Sequence, residues 1–102
     1  MDKSREESFE QQIDARQMCG QFLTLAYSAW LGPEPLDCGL NPVTLYKGGG
    51  RIVQLTLYER LAPGLGGLRR VAHYNQGWRF GRRRYGALLA LLVESLEAGR
   101  FP

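Results

Sequence analysis

The alternation of apolar and polar side chains between Arg51 and Arg60 constrains the fold of this chain more than any other sequence feature. Three apolar residues there are each followed by a polar or amphipathic one, in the pairs Val53 and Gln54, Leu55 and Thr56, and Leu57 and Tyr58. Successive side chains of a β-strand point to opposite faces of its sheet. This period of two therefore predicts a strand with one covered face.

Three shorter β-prone runs flank this strand, at residues 43–46, 68–74 and 78–80. The glycine-rich residues 47–50 predict a hairpin loop before the strand, because glycine supplies the positive φ that such loops need. Residues 75–77 are Asn-Gln-Gly and predict a turn between the last two runs. Connections this short join antiparallel neighbours, so the pattern predicts an antiparallel sheet of three to four strands.

Residues 5–31 predict a long amphipathic helix before the sheet. At about 100° per residue, a narrow polar stripe runs along it, consisting of Glu10, Asp14, Gln17, Gln21, Thr24 and Ser28. The apolar face covers well over half of the circumference, which is wider than packing on one sheet requires. This width fits either a second apolar partner, such as another chain, or a helix buried deep in the core. Gly32 and Pro33 end the helix.

A second helix is predicted at residues 83–98, with an apolar stripe made of Tyr85, Leu88, Leu89, Leu92 and Leu96. The element order is then α-β-β-β-(β)-α, an α+β fold with a long N-terminal helix, a three- to four-stranded antiparallel sheet and a C-terminal helix. Both helices would cover one face of the sheet, and the other face would carry Thr56, Tyr58 and part of the arginines. The length fits a single domain over residues 1–102, with residues 1–7 frayed.

The net charge of +3 is distributed unevenly along the chain. Residues 1–50 contain four basic and seven acidic side chains, which give −3, whereas residues 51–102 contain nine basic and three acidic ones, which give +6. Eleven of the thirteen basic residues are arginine, whose planar guanidinium binds phosphate and stacks on bases. The asymmetry indicates a polyanionic partner or a complementary acidic surface. An alternative explanation is a GC-rich genome, which enriches arginine, glycine and leucine together.

Basic and aromatic side chains interleave most densely between residues 69 and 85. Six arginines are expected to contact phosphate and two rings to stack on bases, namely Arg69, Arg70, Arg79, Arg82, Arg83 and Arg84, with Tyr74 and Trp78. Residues 82–84 also lie at the predicted start of the second helix, where exposed backbone N–H groups attract anions. Two other interpretations stay open: core packing for Trp78 and Phe80, and a solvated or protein-binding face for the arginines.

The predicted element order, with a basic start to its last helix, is similar in outline to double-stranded-RNA-binding domains. The resemblance covers about the last 60 residues and is topological. Modules of that family contact phosphates through a lysine-rich segment at the last helix, and the resemblance implies that Arg82, Arg83 and Arg84 stand in for that segment. The minor-groove loop of the family usually has a Gly-Pro-x-His pattern, whereas Glu34 and Pro35 follow the Gly-Pro pair here.

The sequence contains no recognisable arrangement of catalytic or metal-binding residues. His73 is the one histidine, and Cys19 and Cys38 are the two cysteines, so neither zinc-ligand spacing nor a histidine-based acid–base pair is present. We therefore expect a protein without enzymatic activity, metal or cofactor. No apolar run reaches the ~18–20 residues that span a bilayer, and the polar N-terminus has no export signal. These features predict a cytoplasmic protein with reduced cysteines and no membrane partner.

Together these features favour a small nucleic-acid-binding accessory protein that contacts RNA or DNA through its arginine-rich, aromatic surface. The alternative is a protein-interaction module, such as a small inhibitor, adaptor or assembly factor, viral and phage proteins included. That module would form a homodimer through its first helix and bind an acidic protein surface with its arginines. The two functions differ measurably, because only the first predicts an affinity for generic polyanions that falls steeply with salt.

Overall fold

The computed structural model describes residues 15–61 and 66–100. In these ranges the chain forms five strands and then one helix: β1 (Arg16–Phe22), β2 (Leu25–Leu36), β3 (Gly50–Arg60), β4 (Leu68–Asn75), β5 (Trp78–Phe80) and α1 (Gly86–Glu97). The strands form one antiparallel sheet in the order in which they occur in the chain. β3 therefore lies in the middle of the sheet, and β1 and β5 are its two edges.

One face of the sheet, called the core face here, packs against α1. In β2 every second residue from Leu25 to Leu31 is buried. The cross-strand pairs of Tyr27 with Leu57, and of Leu57 with Ala72, continue the same face across the sheet. Four buried side chains of α1 belong to the same hydrophobic cluster: Leu89, Leu92, Val93 and Leu96. Because burying a leucine-sized side chain stabilises a fold by about 1.5–3 kcal/mol, this layer is the main source of stability.

The connection between β2 and β3 is packed onto the core. Leu40 and Leu45 within it are buried, and the Leu40 N–H donates a hydrogen bond of 2.8 Å to the Ile52 carbonyl. A Cβ atom on Gly50 would overlap the Leu40 carbonyl, and a Cβ atom on Gly39 would overlap the Gly50 carbonyl. Glycine is therefore required at both positions, because the two backbone segments cross there in direct contact.

The long N-terminal helix predicted at residues 5–31 is wrong, because its described part forms β1, a two-residue turn and β2. The turn contains Leu23 at φ 58°, a conformation that a right-handed helix excludes. The segment has no charged residue from Gln17 to Pro33, so its apolar residues fit a period of two as well as one of 3.6. Pairing with β3 selects the strand. Residues 5–14 of the predicted helix, like the frayed residues 1–7, lie outside the described residues.

The predicted fold class is also wrong: the described chain is mostly β, with α1 as its one helix. Dimerisation through helix one has no basis without that helix, and the outline shared with double-stranded-RNA-binding domains is lost for the same reason. The strands predicted at residues 51–60, 68–74 and 78–80 are present as β3, β4 and β5. The helix predicted at residues 83–98 is present as α1, which begins only at Gly86.

Residues 43–46, predicted as a strand, form part of a turn instead. The Asn41 side-chain oxygen accepts hydrogen bonds from the backbone N–H groups of Val43 and Thr44, at 2.8 and 3.0 Å. Asparagine stabilises turns in this way, and here the local bonds outweigh the β-propensity of valine and threonine. Val43 is 88% exposed as a result.

Candidate nucleic-acid interface

The second face of the sheet, called the open face here, points away from α1. Its three cross-strand rows are Gln17, Trp30, Gln54 and Asn75; Cys19, Ser28, Thr56, His73 and Phe80; and Gln21, Ala26, Tyr58 and Arg70. Among the described residues α1 is the one helix, and it packs on the core face, so no described helix lies on the open face. The side chains of these rows are mostly polar or aromatic, unlike the aliphatic ones of the core face.

Among the described residues, four aromatic rings lie on the open face, one on each strand from β2 to β5. Trp30, Tyr58 and His73 are partly exposed, and Phe80 is 44% exposed. The ring centroids of His73 and Phe80 are 6.1 Å apart, with an interplanar angle of 35°. A hydrogen bond of 2.8 Å between His73 Nδ1 and the Thr56 hydroxyl holds the histidine in the middle row. Rings presented in this way on the face of a sheet offer surfaces on which unpaired bases can stack.

The adjacent arginines Arg69 and Arg70 have different surroundings. Arg70 is exposed on the open face, where it pairs across the strands with Tyr58. Arg69 pairs with Glu59 in the strand register, and its guanidinium forms an ion pair with the Glu59 carboxylate. That ion pair is the only one found within residues 15–61 and 66–100. Arg70 is thus the arginine of the two that extends the aromatic surface.

Tyr74 and Trp78, the two rings predicted to stack on bases, lie on the core side. Tyr74 has no exposed surface, and its hydroxyl donates a hydrogen bond of 2.8 Å to the Cys38 carbonyl. Burial, with a smaller contribution from the Cys38 thiol, raises the pKa of Tyr74 to about 12. The Trp78 and Tyr74 rings pack edge to face, with their centroids 5.3 Å apart. The Trp78 Nε1–H donates a hydrogen bond of 2.7 Å to the Leu45 carbonyl. Both rings hold the β2–β3 connection in place.

Arg82 is held by its own chain. Its Nε–H donates a hydrogen bond of 3.1 Å to the Leu45 carbonyl, and its guanidinium lies 3.8 Å from the centre of the Tyr46 ring. A further bond of 3.4 Å runs to the Thr44 carbonyl. These contacts fix the turn that leads into α1. They use the Nε–H and one of the Nη2–H donors, so Arg82 has a structural role, and three of its five guanidinium N–H donors remain for other partners.

The other predicted arginines are more accessible. Arg79 is exposed and donates one bond of 3.1 Å to the Asn75 carbonyl of its own turn. Arg83 and Arg84 are exposed in the turn before α1, and the Arg84 guanidinium lies 5.7 Å from the centre of the Tyr85 ring. Within the described residues, neither forms an ion pair. Both can therefore meet an external anion without first breaking a salt bridge.

The sequence prediction missed Trp30, the ring on β2. Trp30 falls within the helix predicted at residues 5–31 and outside its polar stripe, so it was not expected on an exposed surface. Residues 29 and 31 on either side of it are buried on the core face, which places Trp30 on the opposite face of β2. The alternation of side chains with a period of two over residues 25–31 is the sequence signal that could have identified the position of Trp30. Core packing was left open as an alternative for Phe80, which is the most exposed of the described rings on the open face.

Two further findings concern metal ligands and membrane-spanning helices, and a third concerns similarity to known proteins. In the described part of the chain, no three His, Cys, Asp or Glu side chains lie together as metal ligands. No described helix is long and apolar enough to cross a membrane. Comparisons with protein-family models, with curated proteins and with solved structures find no match to this chain, so its function has to be argued from the site itself.

Proposed function

We propose that this protein binds single-stranded nucleic acid on its open face and carries out no chemistry on it. The observation that supports the proposal best is the set of aromatic rings on four adjacent strands, on a face that no described helix covers. Trp30, Tyr58 and Phe80 would stack on bases, with His73 between them. Arg70, beside Tyr58, would contact the phosphate backbone.

The geometry favours single strands over duplexes. In a duplex the faces of the bases are stacked on one another, and only their edges are accessible in the grooves. Rings exposed on the face of a sheet recognise base faces, which only unpaired nucleotides expose. A double-stranded partner would instead need a protruding element that enters a groove, and in residues 15–61 and 66–100 the open face is built from strands.

The charge distribution supports the same partner. Arg70 lies on the open face, and Arg83 and Arg84 lie in the turn that follows β5, without ion pairs among the described residues. If these three arginines contact phosphates of a single strand, log K should fall with log salt with a slope of about −2, since each contact contributes about −0.7. An apolar stacking component would remain at high salt.

Fluorescence anisotropy with labelled single-stranded RNA, single-stranded DNA and a blunt duplex, each titrated across salt concentrations, tests the proposal. Replacing Phe80 with alanine should weaken single-strand binding by about tenfold, because stacking on one ring contributes about 1–3 kcal/mol per base. Leu91→Ala is the matched control, since Leu91 is 55% exposed on α1, away from the open face. It should bind like the wild type.

The outcomes separate three conclusions. Tighter binding of single strands, weakened by Phe80→Ala and not by Leu91→Ala, supports the open face as the site. Equal binding of the duplex that is insensitive to Phe80→Ala would assign the arginines alone as a generic polyanion site. Absence of binding to every probe at low salt would sink the proposal, and an acidic protein partner for the arginines would become the leading function.

A further inference from the structure

The β1 edge of the sheet differs from the β5 edge. β5 is three residues long and is followed directly by the arginine-rich turn, whereas β1 is seven residues long. No described strand pairs with the outer side of β1. Along any strand, alternate residues direct their backbone N–H and C=O groups to opposite sides, so about half of those of β1 face away from β2. Such an edge is a template for a further strand.

The sequence of β1 lacks the devices that normally protect an edge strand. Charged residues, especially lysine, and proline discourage edge-to-edge pairing. After Arg16, β1 contains neither, and the charge-free stretch continues through β2 as far as Pro33. Between Gln17 and Pro33 this hairpin carries no charge, whereas the chain as a whole has a net charge of +3 and most of its arginines lie on β3, β4 and the last turn. Two copies can approach through it without bringing their arginines together.

We propose that two copies of this chain pair through β1, antiparallel and related by a two-fold axis at Cys19, so that their sheets become continuous. The proposal does not depend on nucleic-acid binding. A two-fold axis makes the contact closed and self-complementary, and every antiparallel register of a strand with its own copy has such an axis. The register centred on Cys19, the middle residue of β1, pairs all seven residues of the strand. Cys19, exposed on the open face at the middle of β1, would then lie opposite Cys19 of the partner subunit.

The side chains of β1 are complementary in that register. Met18 lies opposite the partner's Gly20, where the missing side chain leaves room for the thioether. Met18 and Phe22 are only partly buried beside the core, so a second strand would cover apolar surface that one copy leaves exposed. On the open face Gln17 lies opposite Gln21 of the partner subunit, and two amides can exchange hydrogen bonds. No cross-strand pair of this seam places two like charges opposite each other.

The first test is sedimentation velocity on the full chain without nucleic acid, over a range of protein and salt concentrations. We expect a dimer that survives high salt, because the seam contains no ion pair. Cys19→Lys should weaken the dimer by about fivefold, since it places two ammonium groups directly opposite each other. Cys19→Ser is the matched neutral control and should retain the dimer. Circular dichroism checks that both variants keep the sheet.

Mixing two variants makes the test specific for the register. Cys19→Glu alone should dimerise as weakly as Cys19→Lys, and an equimolar mixture of the two should form a heterodimer tighter than either homodimer. A short bismaleimide should link two copies of Cys38→Ser but not of Cys19→Ser. A wild-type monomer at concentrations up to about 100 µM overturns the proposal. If Cys19→Lys leaves the dimer affinity unchanged, or if the mixture of the two variants forms no tighter heterodimer, the β1 seam is refuted.

Discussion

His73 and Tyr74 are consecutive residues of β4 with opposite roles. Tyr74 has no exposed surface, and its hydroxyl holds the Cys38 carbonyl on the core side. His73 is partly exposed on the open face, between Thr56 and Phe80. In this protein the role of a strand residue depends on which face its side chain occupies, because each step along a strand changes the face.

The same contrast recurs at two other consecutive pairs, Leu57 with Tyr58 and Arg69 with Arg70. Leu57 is buried in the core cluster, whereas Tyr58 lies on the open face. Arg69 forms an ion pair with Glu59, whereas Arg70 extends the aromatic surface. If the two faces have separate tasks, substitutions on the core face should change stability, and substitutions on the open face should change binding.

The largest expected difference is between Leu57→Ala and Tyr58→Ala. Leu57 is fully buried at the centre of the sheet, so its truncation leaves a cavity and should lower the free energy of unfolding by about 2–5 kcal/mol. Tyr58 is partly exposed, so its loss should lower the free energy of unfolding by less than about 1 kcal/mol and weaken single-strand binding at least fivefold. Urea unfolding and anisotropy measure the two effects. Equal destabilisation by both variants would show that the open face is covered.

Two glycines extend the comparison to the backbone. A Cβ atom on Gly50 would overlap the Leu40 carbonyl, so Gly50→Ala must push the β2–β3 connection off β3 and should lower the free energy of unfolding by about 3 kcal/mol. Gly86, at the start of α1, has open space around it, and Gly86→Ala should stabilise the protein by up to about 1 kcal/mol. Thermal unfolding of both variants is sufficient to compare them. Similar melting temperatures would contradict the crossing at Gly50.

The parts of the fold and of the site that could be predicted from the sequence are those with a local signal. β3 was predictable, because alternation and a glycine loop define a strand without reference to the rest of the chain. β1 and β2 were not, because the charge-free stretch from Gln17 to Pro33 fits two periods, and pairing with β3 decides between them. The arginine cluster was visible in the composition. The contacts of Arg82 with the Leu45 carbonyl and the Tyr46 ring were not predictable, because they join residues distant in sequence and no local pattern reveals them.

A smaller effect is expected from Tyr74→Phe, and it depends on pH. The variant loses the hydrogen bond to the Cys38 carbonyl and should be less stable by about 1 kcal/mol at neutral pH. The pKa of Tyr74 is raised from 10.0 to about 12, chiefly by burial, so the folded state favours the neutral phenol. The contribution of the neutral Tyr74 phenol to the free energy of unfolding is complete below pH 10 and is lost as the pH rises towards about 12.

Urea unfolding of the wild type and of Tyr74→Phe at a series of alkaline pH values measures this dependence. The stability of the wild type should fall more steeply between about pH 10 and pH 12 than that of the variant. Some decline should persist in the variant, because burial, and secondarily Cys19, also raises the pKa of Tyr27. Identical slopes for the two proteins would mean that the Tyr74 hydroxyl meets water in the folded state.

The smallest effect on stability, and the closest comparison between the faces, is expected from Arg70→Ala and Arg69→Ala. Each variant removes one positive charge, and both side chains are exposed, so the free energy of unfolding should change by no more than about 0.5 kcal/mol. In the proposed complex Arg70 faces the bound strand, so its loss should reduce the salt slope of binding by about 0.7. Arg69 is engaged by Glu59 on the other side, so its loss should leave the slope nearly unchanged. Anisotropy titrations at four salt concentrations distinguish the two variants. Equal salt slopes for the two variants would mean that binding responds to net charge alone, and the open face would be rejected as the binding site.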